Sequence, residues 1–210
     1  MNPQLPHFLS ERLTRPLTGP GVGSRFEIQP RLGRPYEPAP ADARSAAVLL
    51  LLYPHEDAWH VPLTLRPAHL PDHAGQVCLP GGAMERGETG RAAAIREFHE
   101  ELGAGDVRLE VLGCLSPLYV QASHFRVEPW VAATAQRPAF QPNAQEVERL
   151  LEVPLPFLLD PANLQGHQRR YQGQLYQAPH FDWQDCRIWG ATCMMLGELI
   201  TLLDEMQIEI

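Results

Sequence analysis

The spacing of apolar positions changes several times along this chain, and each change marks an element. Residues 45–53, SAAVLLLLY, form a continuous apolar run with the length of a buried central strand. The loop PHEDA interrupts it, and 59–66 follows as a second strand, so the two are expected to pair as a hairpin. A short strand at 76–79 leads into a glycine-rich turn. From Gly90 to Leu102 the spacing becomes helical, with Gly103 as a left-handed C-terminal cap. At about 100° per residue, Ile95, Phe98 and Leu102 fall on one side of this helix, with the stem of Arg91 beside them. Glu97, Glu100 and Glu101 fall on the opposite side. Strands follow near 107–116 and 125–135, and 146–155 ends in a strand that leads to a helical turn at 156–160. Residues 167–181 alternate around Gln172-Gly173 as a hairpin. Residues 188–207 form a long C-terminal helix with Ile188, Met195, Leu199 and Leu203 on one side. Interleaved strands and helices predict an α/β fold with a mixed β-sheet between helices. Residues 1–44, rich in Pro and Gly with one helical pattern at 6–13, read as an N-terminal arm before a single domain at 45–210.

Composition narrows the classes. A chain of 210 residues, 44% apolar, can bury a sizeable core without staples. No apolar run reaches the length of a membrane span, and no basic segment leads into an apolar stretch at the N-terminus, so a cytoplasmic protein is expected. Cys78, Cys114, Cys186 and Cys193 show no C-x-x-C spacing and read as buried or incidental thiols. There is no lysine; all 17 basic residues are arginine. That excludes a P-loop lysine and a Schiff-base lysine. The net charge of −8 argues against broad nucleic-acid binding. A polyanionic small molecule would be met by metal and by local arginines, with Arg66, Arg126, Arg169 and Arg170 as candidates.

The acidic helix carries the sharpest chemistry. Glu97 and Glu101 are four apart, so one stacks above the other. Ala93 and Ala94 flank the stripe and leave room for a phosphate to approach. Clustered carboxylates repel one another, and hard oxygen ligands at this density suit Mg²⁺ or Mn²⁺. The bland alternative is a solvated acidic face. Arg96 projects roughly 100° away from Glu97 and is spaced to pair with Glu88, a bidentate contact that would fix the loop before the helix. Gly81 and Gly82, after Pro80, permit a tight turn close to the acidic stripe.

Taken together, Gly82, Glu88, Arg96, Glu97, Glu100, Glu101 and Gly103 follow G-x5-E-x7-R-E-U-x-E-E-x-G-U, with U a bulky apolar residue. This pattern resembles the Nudix box. The resemblance implies an α/β/α sandwich and hydrolysis, assisted by Mg²⁺ or Mn²⁺, of a nucleoside diphosphate linked to another moiety. It implies Glu97, Glu100 and Glu101 as metal ligands, with the main-chain carbonyl of Gly82. It also implies that a ligand carboxylate, or one outside the box, accepts the proton of the attacking water. The preceding segment, PLTLRPAHLPDHAGQVCLPGG at 62–82, is similar to the signature before the box in coenzyme A diphosphatases, L-L-T-x-R-[SA]-x3-R-x3-G-x3-F-P-G-G. Leu63, Thr64, Arg66, Gly75, Pro80, Gly81 and Gly82 match; Pro62, Pro67, Pro71 and Leu79 depart, and Pro71 replaces an arginine. The likeness continues through residues 112–120, 125–132, 142–163 and 188–200. It implies CoA or CoA esters as substrate, with 3′,5′-ADP and 4′-phosphopantetheine as products, and it is compatible with a homodimer. Glu146 is the implied extra ligand or base, and Arg66 inherits the contact to substrate phosphate. Tyr119 and Phe125 border the loop after the box, where an adenine could stack. The alternatives are a Nudix hydrolase of another nucleotide, such as a dinucleotide polyphosphate, nucleotide sugar or dNTP, and a non-catalytic ligand-sensing domain of the same fold. An isopentenyl diphosphate isomerase, which shares the fold, fits the segment before the box less well.

Overall fold

The computed structural model describes residues 1–17, 19, 25–26, 28–29, 39–70, 73–171 and 173–207. In chain order the elements are α1 (Leu5–Leu13), β1 (Arg44–His55), β2 (Ala58–Leu65), β3 (Val77–Cys78), β4 (Gly81–Ala83), α2 (Gly90–Leu102), β5 (Glu110–Cys114), β6 (Leu118–Val120), β7 (Phe125–Ala133), β8 (Arg149–Pro154), α3 (Leu155–Leu159), β9 (Leu164–Tyr171), β10 (Gln174–Trp183), β11 (Cys186–Trp189) and α4 (Gly190–Met206).

The apolar run forms β1, the middle of an eight-stranded mixed sheet. β1 lies parallel to β7, from Arg44 opposite Phe125 to Leu52 opposite Ala133. On its other edge it pairs antiparallel with β4 at its start and with β2 at its end. Glu56 and Asp57 both take positive φ, 47° and 63°, which matches the tight two-residue turn between β1 and β2. Both faces of β1 are covered, which is why its sequence is apolar without alternation. Ala47, Leu49, Leu51 and Tyr53 pack with Ala94, Phe98 and Leu102 of α2 on one side. Ala46, Leu50 and Leu52 join the core on the other, shared with α1, α3 and α4. Helices on both faces of a mixed sheet give the expected α/β layers.

Where the sequence and the structure differ, the elements are short. β4, β6 and β11 have three or four residues, too few to show a period. Ile188 belongs to β11, paired with Phe181 of β10, and not to the C-terminal helix. α4 is buried almost all round, from Thr192 to Leu203, so no single stripe defines it. The hairpin at 167–181 is present as β9 and β10, and β11 extends it to a three-stranded sheet. Within residues 1–44, Leu5 and Leu9 of α1 are fully buried, and Phe26 packs on Gly197 of α4. No helix is long and apolar enough to cross a membrane among the described residues.

Candidate functional site

Helix α2 is capped at its start by Thr89, whose hydroxyl accepts from the Ala92 amide at 3.3 Å, and at its end by Gly103, with φ 52° and its amide on the His99 carbonyl at 2.9 Å. Its orientation departs from the expected helical wheel. Ala93 and Ala94 are fully buried against the sheet, so they provide close packing of helix on β1 and no opening for a phosphate. Ile95 is only half-buried and Arg91 is exposed. The buried side runs through Ala93, Ala94, Phe98 and Leu102 and takes in Glu101, which is 2% exposed. A wheel weighted by hydrophobicity sets the glutamates opposite Ile95, Phe98 and Leu102; alanine's small size sets the packing side instead.

Three carboxylates converge there. One oxygen each from Glu97, Glu101 and Glu146 lies within 4.8 Å of the others. Glu146 arrives from the loop before β8, forty-five positions beyond Glu101 in the chain. Glu100 does not join this group: its side chain is 54% exposed and its Oε2 accepts from Arg96 at 3.0 Å. Gly82 sits against Glu97, and a Cβ at position 82 would fall 2.5 Å from the Glu97 carboxyl carbon. Any side chain there would displace that carboxylate.

Arg96 ties the loop to the helix as expected and does more. Its Nε and one terminal nitrogen donate to the two oxygens of Glu88, each at 3.0 Å. Its other terminal nitrogen donates to Glu97 Oε1 at 2.9 Å and to Glu100 Oε2, and a further bond reaches the Ala83 carbonyl at 3.2 Å. The expectation that Arg96 points away from Glu97 is therefore corrected. A guanidinium on a flexible stem swings back across one helical position, because a nearby carboxylate outweighs the stem's starting direction.

Burial dominates the electrostatics. It pushes the Glu101 carboxyl up to about 8, with Arg66 opposing and Glu97 and Glu146 adding to the rise. Burial also raises Glu97, against the pull of Arg96. Glu101 Oε2 is buried with no hydrogen-bond partner among the described residues. A divalent cation fits this donor set: it would supply the missing partner and relieve the repulsion among three carboxylates. Arg66, at the end of β2, places one guanidinium nitrogen 3.7 Å from Glu101 Oε1. Cys78 lies close enough to feel both Arg66 and Glu101, but burial pushes its thiol up to about 11, which leaves no thiolate at neutral pH.

One other expectation is revised. Tyr119 and Phe125 do not share a pocket. Tyr119 pairs with Arg126 on the α2 side of the sheet, and its hydroxyl bonds His124 Nδ1 at 2.8 Å. Phe125 packs on the opposite core, with the Arg44 guanidinium 3.9 Å from its ring centre. Sequence adjacency to one loop concealed the alternation of a strand's faces. Leu79, one of the departures from the diphosphatase signature, is 2% exposed in the core, so that change concerns packing. Pro71 lies outside the described residues. Sequence reasoning also missed Asn143, whose amide donates to the Glu101 carbonyl at 2.8 Å and whose side chain neighbours Glu146. Its signal was a Pro-Asn pair opening a turn three residues before an expected ligand.

Comparison with known proteins agrees with this geometry. The NUDIX domain model matches residues 43–169. The chain is 36% identical over 186 residues to an uncharacterized Nudix hydrolase, NudL, of Pectobacterium atrosepticum, covering 84% of this chain and 90% of that one. It is 31% identical over 183 residues to Nudix hydrolase 3 of Caenorhabditis elegans, covering 78% and 75%. A Nudix hydrolase from M. smegmatis, RenU, is similar in structure with a TM-score of 0.48 and 28% identity, over 56% of this chain and 74% of that one. With the box assembled around one acidic cluster and the family matched over more than half its length, the chain belongs to the Nudix family and is a Nudix hydrolase.

Proposed function

We propose that this hydrolase cleaves the diphosphate of CoA or CoA esters with Mg²⁺ or Mn²⁺, giving 3′,5′-ADP and 4′-phosphopantetheine. The observation that carries the metal-dependent part is the convergence of Glu97, Glu101 and Glu146, one of which, Glu101, has a buried oxygen with no hydrogen-bond partner among the described residues. In this reading these three hold the ion, with the Gly82 carbonyl beside them. The ion, when bound, supplies charge neutralisation and a nucleophile at neutral pH. Arg96 orients Glu97 and fixes the Glu88 loop, so the ligands keep their places without substrate. Glu146, from the loop before β8, accepts the proton of the attacking water, a weak acid that a nearby carboxylate helps to deprotonate at neutral pH. Glu100 stands at the solvent end of the stripe, where it can assist that transfer. Arg66, beside Glu101, contacts the diphosphate or the 3′-phosphate. Of Tyr119 and Phe125, Tyr119 is the one on the α2 side, where it could stack on an adenine.

The CoA part is carried by residues 63–82 of the sequence, where Arg66, Gly75 and the Pro80-Gly81-Gly82 run match the diphosphatase signature. A second reading, hydrolysis of another nucleotide, is favoured by Pro71 in place of an arginine. The deciding experiment is a hydrolysis screen with Mg²⁺ and Mn²⁺ over CoA, acyl-CoAs, NADH, ADP-ribose, diadenosine polyphosphates and dNTPs. A preference for any other substrate over CoA by about tenfold or more in kcat/KM, worth about 1.4 kcal/mol, would replace the CoA reading with the second one.

A further inference from the structure

The turn that brings Glu146 to the cluster is tied at both ends to the rest of the site. At one end the Asn143 amide donates to the Glu101 carbonyl at 2.8 Å, on the last turn of α2. At the other the Glu148 amide donates to the Leu65 carbonyl at 2.8 Å, one residue before Arg66. Between them the amides of Glu146 and Val147 donate to the Asn143 carbonyl at 3.0 and 2.8 Å, and Val147 is buried in the core beneath α2. The Asn143 side chain divides its two ends between two tasks. Its Oδ1 accepts from the Gln145 amide at 3.1 Å, which closes an Asx turn. Its Nδ2 faces Glu146 Oε1 at 3.5 Å. Glu146 is held near two other carboxylates that repel it. Asn143 joins the helix bearing Glu101 to the loop bearing Glu146, and it offers a donor to the carboxylate that has to stay.

We infer that Asn143 is a positioning residue for the reaction, aiming Glu146 at Glu97 and Glu101 through its side-chain amide. The inference rests on the reading of Glu146 as a member of the site. Asn143→Ser keeps an oxygen for the Gln145 amide and loses the donor toward Glu146. It should lower kcat roughly tenfold with KM within about twofold, and weaken Mn²⁺ binding measured by calorimetry. In a Glu146→Ala background the same substitution should change kcat and Mn²⁺ affinity by less than about twofold, because the group it acts through is gone. Asn143→Asp keeps the side chain's shape and its acceptor but sets an oxygen against Glu146. It should lower kcat in the same direction, and it serves as the test if the serine variant loses its near-ultraviolet circular dichroism. Equal losses in both backgrounds would overturn the inference, since Asn143 would then be supporting the turn alone. Wild-type kinetics for a folded Asn143→Ser or Asn143→Asp beside an impaired Glu146→Ala would also overturn it while leaving Glu146 in place. Wild-type kinetics for Glu146→Ala would remove Glu146 from the reaction and the inference with it.

Discussion

Two glutamates of this chain are each 2% exposed, and their surroundings differ in kind. Glu198, in α4, accepts the Ser116 hydroxyl at 2.6 Å on one oxygen and the Ser116 amide at 3.0 Å on the other. Glu101, in α2, has Arg66 3.7 Å from one oxygen, and its other oxygen is buried with no partner among the described residues. Burial raises the pKa of both. Their burial is the same; the completeness of their partners separates them. A buried carboxylate that the fold completes is a structural joint, here between the loop before β6 and α4. One left incomplete beside two further carboxylates has a place for something the chain does not supply.

Substituting each in turn should pull the pair furthest apart. Glu101→Gln, and likewise Glu97→Gln, should lower kcat by about 10²-fold or more, since metal ligation supplies several kcal/mol. Glu198→Gln should leave kcat within about twofold in folded protein. Steady-state kinetics with a titration of Mg²⁺ measures both. Full activity of Glu101→Gln in EDTA would erase the distinction. Next in size is Arg96→Ala. It removes the bonds to Glu88, Glu97, Glu100 and Ala83 together, and a displacement near 1 Å can cost about 10²-fold in rate. A crystal structure of that variant with Glu88 and Glu97 unmoved, together with lost activity, would give Arg96 a direct part in the chemistry instead.

The same pair shows what a sequence discloses. Glu101 was legible because its neighbours at fixed spacing, from Gly82 to Gly103, spell a local motif on one helix. Glu198 was not, because Ser116 is 82 positions away and nothing in either residue's vicinity announces the other. The same divide runs through the fold. β1, α2 and the β9–β10 hairpin follow from local period and turn chemistry. β4, β6 and β11 are defined by their pairing partners, which only the tertiary structure names. Within the site, Arg96 with Glu88 was legible from spacing. The direction of the acidic stripe was not, because the wheel weighed Ile95 as core and treated Ala93 and Ala94 as spacers. Small residues mark where helix and sheet approach most closely, and hydrophobicity alone undervalues them.

Arg66 sharpens the comparison from the substrate side, because it is the charged side chain that stands beside Glu101, 3.7 Å from Oε1, where Glu198 has Ser116. If it also reaches substrate phosphate, Arg66→Ala should weaken CoA by about 1.5–3 kcal/mol, the range of a lost charge-assisted hydrogen bond. Dephospho-CoA should lose less if the contact is to the 3′-phosphate. Equal losses on both would assign the contact to the diphosphate, and no loss on either would confine Arg66 to its ion pair with Glu101. On the structural side, Ser116→Ala removes the 2.6 Å bond that a buried Glu198 oxygen accepts. The cost should be about 1–3 kcal/mol of stability, read as the denaturant midpoint, with kcat unchanged. A loss of activity larger than the loss of stability would mean that α4 and the site are coupled.

The smallest expected effect is the pH dependence of stability without metal. In the folded chain the Glu101 carboxyl is pushed up to about 8 by burial, well above the usual carboxylate range near 4.3. A raised carboxylate pKa means that the folded state binds the proton more tightly than the unfolded state. The stabilisation is fully present below the unfolded value, and it is lost as pH rises through the folded one. In EDTA, therefore, Tm should fall as pH rises between about pH 5 and pH 8. Glu198 is raised in the same direction, so it adds to the slope without belonging to the site. Two variants divide the slope between the regions. Glu101→Gln cannot lose a proton, so in EDTA its Tm should gain on the wild type as pH rises and converge with it near pH 5. Glu198→Gln should keep the part of the slope that saturating Mg²⁺ abolishes, because a bound cation takes the place of the proton on Glu101. Parallel Tm curves for Glu101→Gln and wild type from pH 5 to 9 in EDTA would show that Glu101 stays charged without metal. The fold would then already complete its carboxylate.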